Sequence, residues 1–363
     1  MAIQHRLTDD GLAVLALTSR LAASPSATRD SDRLAPLGPK EWARVARALA
    51  AAGAAPADLL GREPDELAAL LGDAPRAAEV IGRLAARATS LALEVERLAG
   101  RGIWLVSIAD DAYPARLRDR LGDSAPPILY GAGAVELLEA GGVAIVGARD
   151  ADPAALQYAA AAAAAVARSG RPVVSGGARG IDGAAMSGAA EAGGTVVGVV
   201  ADSLERATRS PQVRALVADE RLVLVSPYGA DVPFSVGTAM GRNRLIYCLA
   251  DAALIVSTAA GEGGTWAGAT EALEAGWVPV YVRAGEGVPE GNGALIARGA
   301  IALQDGPERA AGLPGETTRY PEAGVGVSSE QPRVAEQQTL FGDSTEPAAP
   351  EPRKRPAQRA RKG

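Results

Sequence analysis

The chain holds very little of what most catalytic and metal centres are built from. Of its 363 residues one is cysteine, Cys248, and one is histidine, His5. A single cysteine forms no internal disulfide, and the two residues together leave no Cys/His zinc set and no Ser-His-Asp or Cys-His arrangement. Lysine is scarce too: Lys40, Lys354 and Lys362 are the only three, so arginine carries nearly all the positive charge. No run of about 18 apolar residues is free of charges or breakers, which argues against a membrane-spanning helix. The opening MAIQHRLTDDGLAVL has acids ahead of its apolar stretch and no cleavage-like site. It is expected to be no signal peptide, and the protein is expected to be cytoplasmic.

What is present suffices for a folded protein. The hydrophobic share is 48%, and the length suggests two domains at about 100–200 residues each. The net charge of -6 argues against a generally basic nucleic-acid coat protein, but binding follows the local field, so a basic pocket remains compatible with it.

Residues 1–100 read as a helical module. Trp42, Val45, Ala46 and Leu49 recur on one helical face, a second helix starts near Glu66, and a longer one is expected from Ala78 to Leu98 before Gly100 and Gly102. Residues 101–305 change character. Apolar runs at 103–108, 143–146, 172–174, 195–200, 222–225, 252–257 and 279–282 alternate with helix-length stretches. This pattern predicts βαβ units and a doubly wound parallel α/β sheet covered on both faces. Residues 306–363 are rich in Pro, Gly, Glu and Ser and are expected to be a disordered tail.

Ligands of such sheets bind beyond the carboxyl ends of the strands. Three loops lie there: Gly147-Ala148-Arg149, then Ser175-Gly176-Gly177-Ala178-Arg179-Gly180-Ile181-Asp182, then Gly261-Glu262-Gly263-Gly264-Thr265. Small residues let backbone N–H groups approach an anion at the start of the following helix, and the first two loops each add an arginine. A fourth element, Gly241-Arg242-Asn243-Arg244, is expected at a helix start, with an amide between two guanidinium forks. None of these is a G-x-x-x-x-G-K-[ST] loop or has the G-x-G-x-x-G spacing, so ATP hydrolysis and nicotinamide chemistry are not indicated. No cofactor and no metal are expected.

The order of these motifs resembles the DprA/Smf DNA-processing family. The likeness runs over roughly 100–303, from Asp111-Ala112-Tyr113-Pro114-Ala115-Arg116-Leu117 and Pro126-Pro127-Ile128-Leu129-Tyr130-Gly131, through the first two loops and Arg242-Asn243-Arg244, to Gly291-Asn292-Gly293-Ala294-Leu295-Ile296-Ala297-Arg298-Gly299-Ala300. The resemblance implies an extended Rossmann domain, without known catalysis, that works as a homodimer in natural transformation or DNA processing, binds single-stranded DNA and hands it to the RecA recombinase. By position it implies that Arg149, Arg179, Arg242 and Arg244 are the basic groups of the strand-binding pocket, with Ser175, Gly176, Gly180 and Asp182 in its loop; Gly177, Asn243, Gly264 and Thr265 are expected beside them from the loop pattern itself. Four neutralised phosphates would give a log–log salt slope near roughly -2.8. Departures from the family pattern are Met186, Pro227, the Ala239-Met240 pair and Glu262, an acid where a phosphate would lie.

In the tail, Gln337-Gln338-Thr339-Leu340-Phe341 looks like the peptide by which bacterial replication and repair proteins dock on the sliding clamp. Leu340 and Phe341 would fill an apolar pocket and Gln337 would bond at its rim. Arg353-Lys354-Arg355, Arg359, Arg361 and Lys362 form a basic terminus. The alternative reading is a nucleotide-binding sensor or a phosphoribohydrolase-like enzyme of a related Rossmann family. Asp182 and Glu271 are the carboxylates available to it, although Glu271 lies too far from Gly264-Thr265 for that family's motif.

Overall fold

The structure, a computed structural model, describes residues 7–21, 35–72, 78–304 and 306–314. Within them a nine-stranded sheet is formed by β1 (Trp104–Ser107), β2 (Ile128–Ala132), β3 (Val143–Gly147), β4 (Val173–Ser175), β5 (Val196–Val199), β6 (Leu222–Ser226), β7 (Ala252–Ser257), β8 (Val280–Arg283) and β9 (Ile301–Leu303). Their spatial order is β1-β2-β6-β5-β4-β3-β7-β8-β9. All neighbours from β6 to β9 pair in parallel; β1 on β2 and β2 on β6 pair antiparallel. The α/β sheet is therefore the expected doubly wound one, extended at one edge by an antiparallel pair. Two of its strands, β2 and β9, are not among the apolar runs read from the sequence.

Helices cover both faces. Five precede the sheet: α1 (Asp9–Thr18), α2 (Pro39–Ala51), α3 (Pro64–Leu71), α4 (Ala78–Ala85) and α5 (Ala88–Ala99). The rest are α6 (Ala115–Leu121), α7 (Pro153–Arg168), α8 (Ile181–Glu191), α9 (Leu204–Ala207), α10 (Pro211–Ala218), α11 (Val236–Leu249), α12 (Gly263–Ala275) and α13 (Glu290–Ala297). Alternate strand residues face opposite cores, as the pleat requires. Leu105, Tyr130, Val143 and Ile145 pack with α7, α8 and the first five helices, whereas Val106, Leu129, Ala144 and Val146 pack with α6, α11 and α12.

The single helix expected over 78–98 is two. The chain turns at Ala86 and Arg87, and the Arg87 guanidinium donates to the carbonyl oxygens of Ser19 at 3.1 Å and Leu21 at 2.8 Å, beyond the end of α1. A tertiary contact, not a glycine or proline, sets the break. The helical module is joined to the sheet by more than the chain: the Ser19 hydroxyl and the Tyr130 hydroxyl share a buried hydrogen bond of 2.9 Å, and Val14, Leu15 and Leu17 lie in the core with Leu105 and Ile128.

The tail reading also starts too early. Residues Pro307–Gly312 form a 3-10 turn with Ala310 and Leu313 buried, and Arg171 Nη1 donates to Leu313 O at 2.7 Å. Two apolar side chains in an otherwise polar stretch suffice to close that turn on α7. Gln337, Leu340, Phe341, the basic terminus and His5 lie outside the described residues.

Candidate functional site

The chain winds from β3 through β4 and β5 to β6, then crosses back to lay down β7, β8 and β9 on the other side of β3. Strand order therefore reverses between β3 and β7, and the crevice at their carboxyl ends is where open α/β sheets bind ligands. A cavity of about 300 Å³ lies there. Its walls are Gly147, Ala148 and Arg149 after β3, Thr258 and Ala259 after β7, Asp182 of α8, Arg242 and Asn243 of α11, and Gly264 and Thr265 of α12.

Four of the expected site residues hold the elements around these walls together. The Thr265 hydroxyl donates to Gly147 O at 2.9 Å, tying the start of α12 to the end of β3. The Asn243 amide donates to Gly264 O at 3.1 Å and fixes that peptide from α11. Ser175, fully buried, donates its hydroxyl to Ile145 O at 2.7 Å. It holds β4 on β3 and presents nothing to the cavity. Gly180 adopts φ +86°, and a Cβ there would stand 2.4 Å from the carbonyl oxygens of both Ala148 and Arg149. Its bare α-carbon lets the second loop press against the first.

The second loop carries an internal anion. Asp182, 6% exposed, accepts from the backbone N–H groups of Gly147 and Ala178. Burial pushes its carboxyl above the ordinary aspartate value, against the pull of Arg242 and of those two N–H groups. Opposite it, burial pushes the Arg242 guanidinium below its usual value while Asp182 pulls it back. Gly176 makes room for both: a Cβ there would lie 1.8 Å from Arg242 Nη1 and 2.6 Å from Asp182 Oδ2. Gly177, at φ +65°, completes the turn behind them.

The four arginines are not equivalent. Arg242 is 2% exposed at the cavity floor. Arg149 is half-buried at the wall, its guanidinium 5.3 Å from the centroid of the Phe234 ring, and burial lowers its pKa. Arg179 is exposed and pairs with Asp150 at the rim. Arg244 faces away and bonds Glu271 Oε1 at 2.9 Å; neither residue of that pair lines the cavity.

The expected helix start at Gly241 is corrected. Ser235 caps α11, its hydroxyl accepting from Thr238 N at 3.0 Å while Thr238 Oγ1 accepts from Ser235 N at 2.9 Å. The helix thus begins at Val236 and runs through Gly241, so Arg242, Asn243 and Arg244 are interior and their own N–H groups serve the helix. The free helix start at the cavity belongs to α12.

Sequence reasoning missed Phe234, Val236, Ala239, Met240 and Tyr247. The first helical turns of α11 contribute Val236, Ala239 and Met240 as an apolar wall of the cavity, with Met240 37% exposed. The signal for it was the Ser235-x-x-Thr238 cap, which sets the helical phase. Tyr247 closes the back of the cavity, and burial raises its hydroxyl pKa. Among the described residues no cluster of three or more His, Cys, Asp or Glu side chains has the arrangement of a metal site, and no helix is long and apolar enough to cross a membrane.

Among solved structures, the chain is similar to DNA processing protein A from Streptococcus pneumoniae, with 22% identity and a TM-score of 0.62 over 86% of this chain and 98% of that one. That likeness is one of fold. It is also similar to DNA processing protein A from Helicobacter pylori (24% identity, TM-score 0.46, 56% of this chain and 91% of that one). The molybdenum cofactor binding protein of the phototrophic bacterium Rippkaea orientalis is more distant, with 18% identity, a TM-score of 0.33, and 46% and 90% covered. No curated protein matches. A family match covers residues 104–311, more than half of the chain and the whole of the sheet with its crevice, and the chain belongs to the DNA recombination-mediator protein A family.

Proposed function

We propose that this protein binds single-stranded DNA along the carboxyl edge of its sheet and acts as an accessory in DNA processing without catalysing a reaction. The observation that carries the reading is the composition of the switch-point crevice. Arg149 lines it together with apolar Val236, Ala239 and Met240, and Arg179 stands exposed at its rim, paired with Asp150. Phosphate contacts position a strand, and an unpaired base lies against an apolar wall that a duplex, with its bases stacked inside, does not engage. The carboxylates that an enzyme would use are otherwise engaged: Asp182 by backbone N–H groups and Glu271 by Arg244, outside the cavity.

The test is fluorescence anisotropy of a labelled single strand and its duplex at several salt concentrations. Because Arg244 is paired with Glu271 outside the cavity and Arg242 lies at the floor, whereas the Arg179–Asp150 pair is exposed and readily exchanged, we expect two phosphates at the rim and a log–log slope near about -1.4. That is shallower than four equivalent arginines would give. Equal binding of strand and duplex, or no binding, would remove the reading. By family resemblance the proposal extends to a cytoplasmic homodimer that hands the strand to RecA, checked by sedimentation and by RecA filament assembly on protein-coated DNA. Clamp docking through Gln337, Leu340 and Phe341 extends it again, and is checked by titrating a 335–343 peptide against the clamp.

A further inference from the structure

Phe234 holds an unusual place at the crevice. It is the residue before Ser235, the cap of α11, and it is half-buried. From that position an apolar side chain ordinarily packs on the fourth helical residue. Here the fourth residue is Ala239, whose single methyl covers little of a phenyl ring. The ring carries the Arg149 guanidinium, 5.3 Å from its centroid. Arg149 follows β3 and Phe234 follows β6, so the contact joins two loops at one edge of the sheet. Three other arginines lie over rings: Arg118 on Tyr113, Arg283 on Tyr158 and Arg298 on Trp266. None of those six residues lines the cavity, whereas Arg149 does.

We propose that Phe234 is a specificity-determining residue for single strands: it backs the Arg149 guanidinium from the side away from the cavity, and one unpaired base stacks on the guanidinium's other face. The proposal rests on the strand-binding reading of this crevice and deepens it by assigning the base contact. A guanidinium is planar and attracts a π-face on either side. Its N–H groups lie in that plane and point outward, so the same arginine holds a phosphate by its edge while a base covers its face. An unsupported arginine is long and samples many rotamers. Against the ring it keeps one plane, and less freedom is lost when the base arrives. Burial acts in the same direction: Arg149 is half-buried, and a cation–π contact strengthens as water is removed from it. The backbone next to Phe234 is fixed too, because Ser235 and Thr238 close the start of α11 with reciprocal hydrogen bonds of 2.9 and 3.0 Å. In a duplex each base already lies between its neighbours, so none offers a face to this pair. Every base has such a face, and the preference is for an unpaired base, not for a particular one.

The experiment titrates the full-length protein into a labelled oligodeoxythymidylate and, separately, into a strand of equal length and charge made of abasic sugar–phosphate units. Both strands carry the same phosphates, so the ratio of their affinities isolates the base contact from the arginine–phosphate contacts. We expect the base-bearing strand to bind about tenfold more tightly, with the ratio falling to about twofold or less in Phe234→Leu and staying at about tenfold in Phe234→Tyr, which keeps the ring. Arg149→Lys keeps the charge and removes the plane. The same fall is expected there, and it does not depend on how Phe234→Leu folds. A ratio that stays at the parent value in either Phe234→Leu or Arg149→Lys overturns the proposal, because a lost support for phosphate binding weakens both strands alike. A ratio near one in the parent protein overturns it as well, and the comparison of strand with duplex then decides the reading on which it rests. Failure of both strands to bind removes that reading, and this proposal with it.

Discussion

The two sides of the switch-point crevice look alike in sequence and differ in what they leave open. On the β4 side, Ser175-Gly176-Gly177-Ala178-Arg179-Gly180 reads as a phosphate cradle. One of its N–H groups, that of Ala178, nevertheless serves a carboxylate of the chain itself, because Asp182 in the first turn of α8 turns back onto it and onto Gly147 at the end of β3. On the β7 side, Gly261-Glu262-Gly263-Gly264-Thr265 carries an acid and no arginine, yet its helix start has no side-chain cap from Glu262. A glycine-rich turn after a strand thus says where an anion fits, and only the tertiary surroundings say whether the protein has already supplied one.

The largest test of that contrast is Asp182→Ala. It leaves Arg242 buried without its countercharge and is expected to cost about 3–5 kcal/mol in chemical unfolding. A loss below about 1 kcal/mol would show the two charges to be independent. Next comes a pair of glycines. Gly176→Ala places a methyl on Arg242 Nη1 and is expected to cost about 1–3 kcal/mol. Gly264→Ala meets nothing closer than 3.4 Å and is expected to stay within about 0.5 kcal/mol of the parent. Equal costs would erase the difference between the closed and the open side.

Much of this frame was legible in the sequence. Seven apolar runs became strands, and the loops after β3, β4 and β7 meet at one crevice because parallel strands all end on the same edge. What was not legible depends on partners far along the chain. The β2 strand follows Pro126-Pro127 and contains Gly131, so its propensity is poor, and it forms by pairing with β1 and β6. The α11 helix contains Gly237 and Gly241, which read as breaks, and the Ser235–Thr238 cap overrides them. This is why Arg242 is interior and buried and not displayed at a helix start. The division of labour among the four arginines follows from burial and from acids distant in sequence, Asp150 for Arg179 and Glu271 for Arg244.

Two smaller effects sharpen the contrast further. Burial holds the folded-state pKa of Asp182 above the ordinary 3.8. The native state therefore keeps a proton that the unfolded chain has already released, so ΔG of unfolding falls as pH rises through that window. Asp182→Asn is expected to flatten this part of the pH–stability profile, measured by thermal unfolding. On the open side, Glu262 is an exposed carboxylate at the mouth. Glu262→Gln is expected to tighten strand binding by about twofold at low salt, with the gain fading as salt screens it.

The central claim is that Arg149 and Arg179 hold a single strand at this crevice, and the salt dependence of anisotropy with a 5′-hydroxyl strand tests it most directly. The expected result is binding to single-stranded over duplex DNA, with the slope reduced by about 0.7 in Arg149→Ala and again in Arg179→Ala. A slope unchanged in both variants, or equal affinity for the duplex, would mean that DNA is held elsewhere on the chain and would contradict the account.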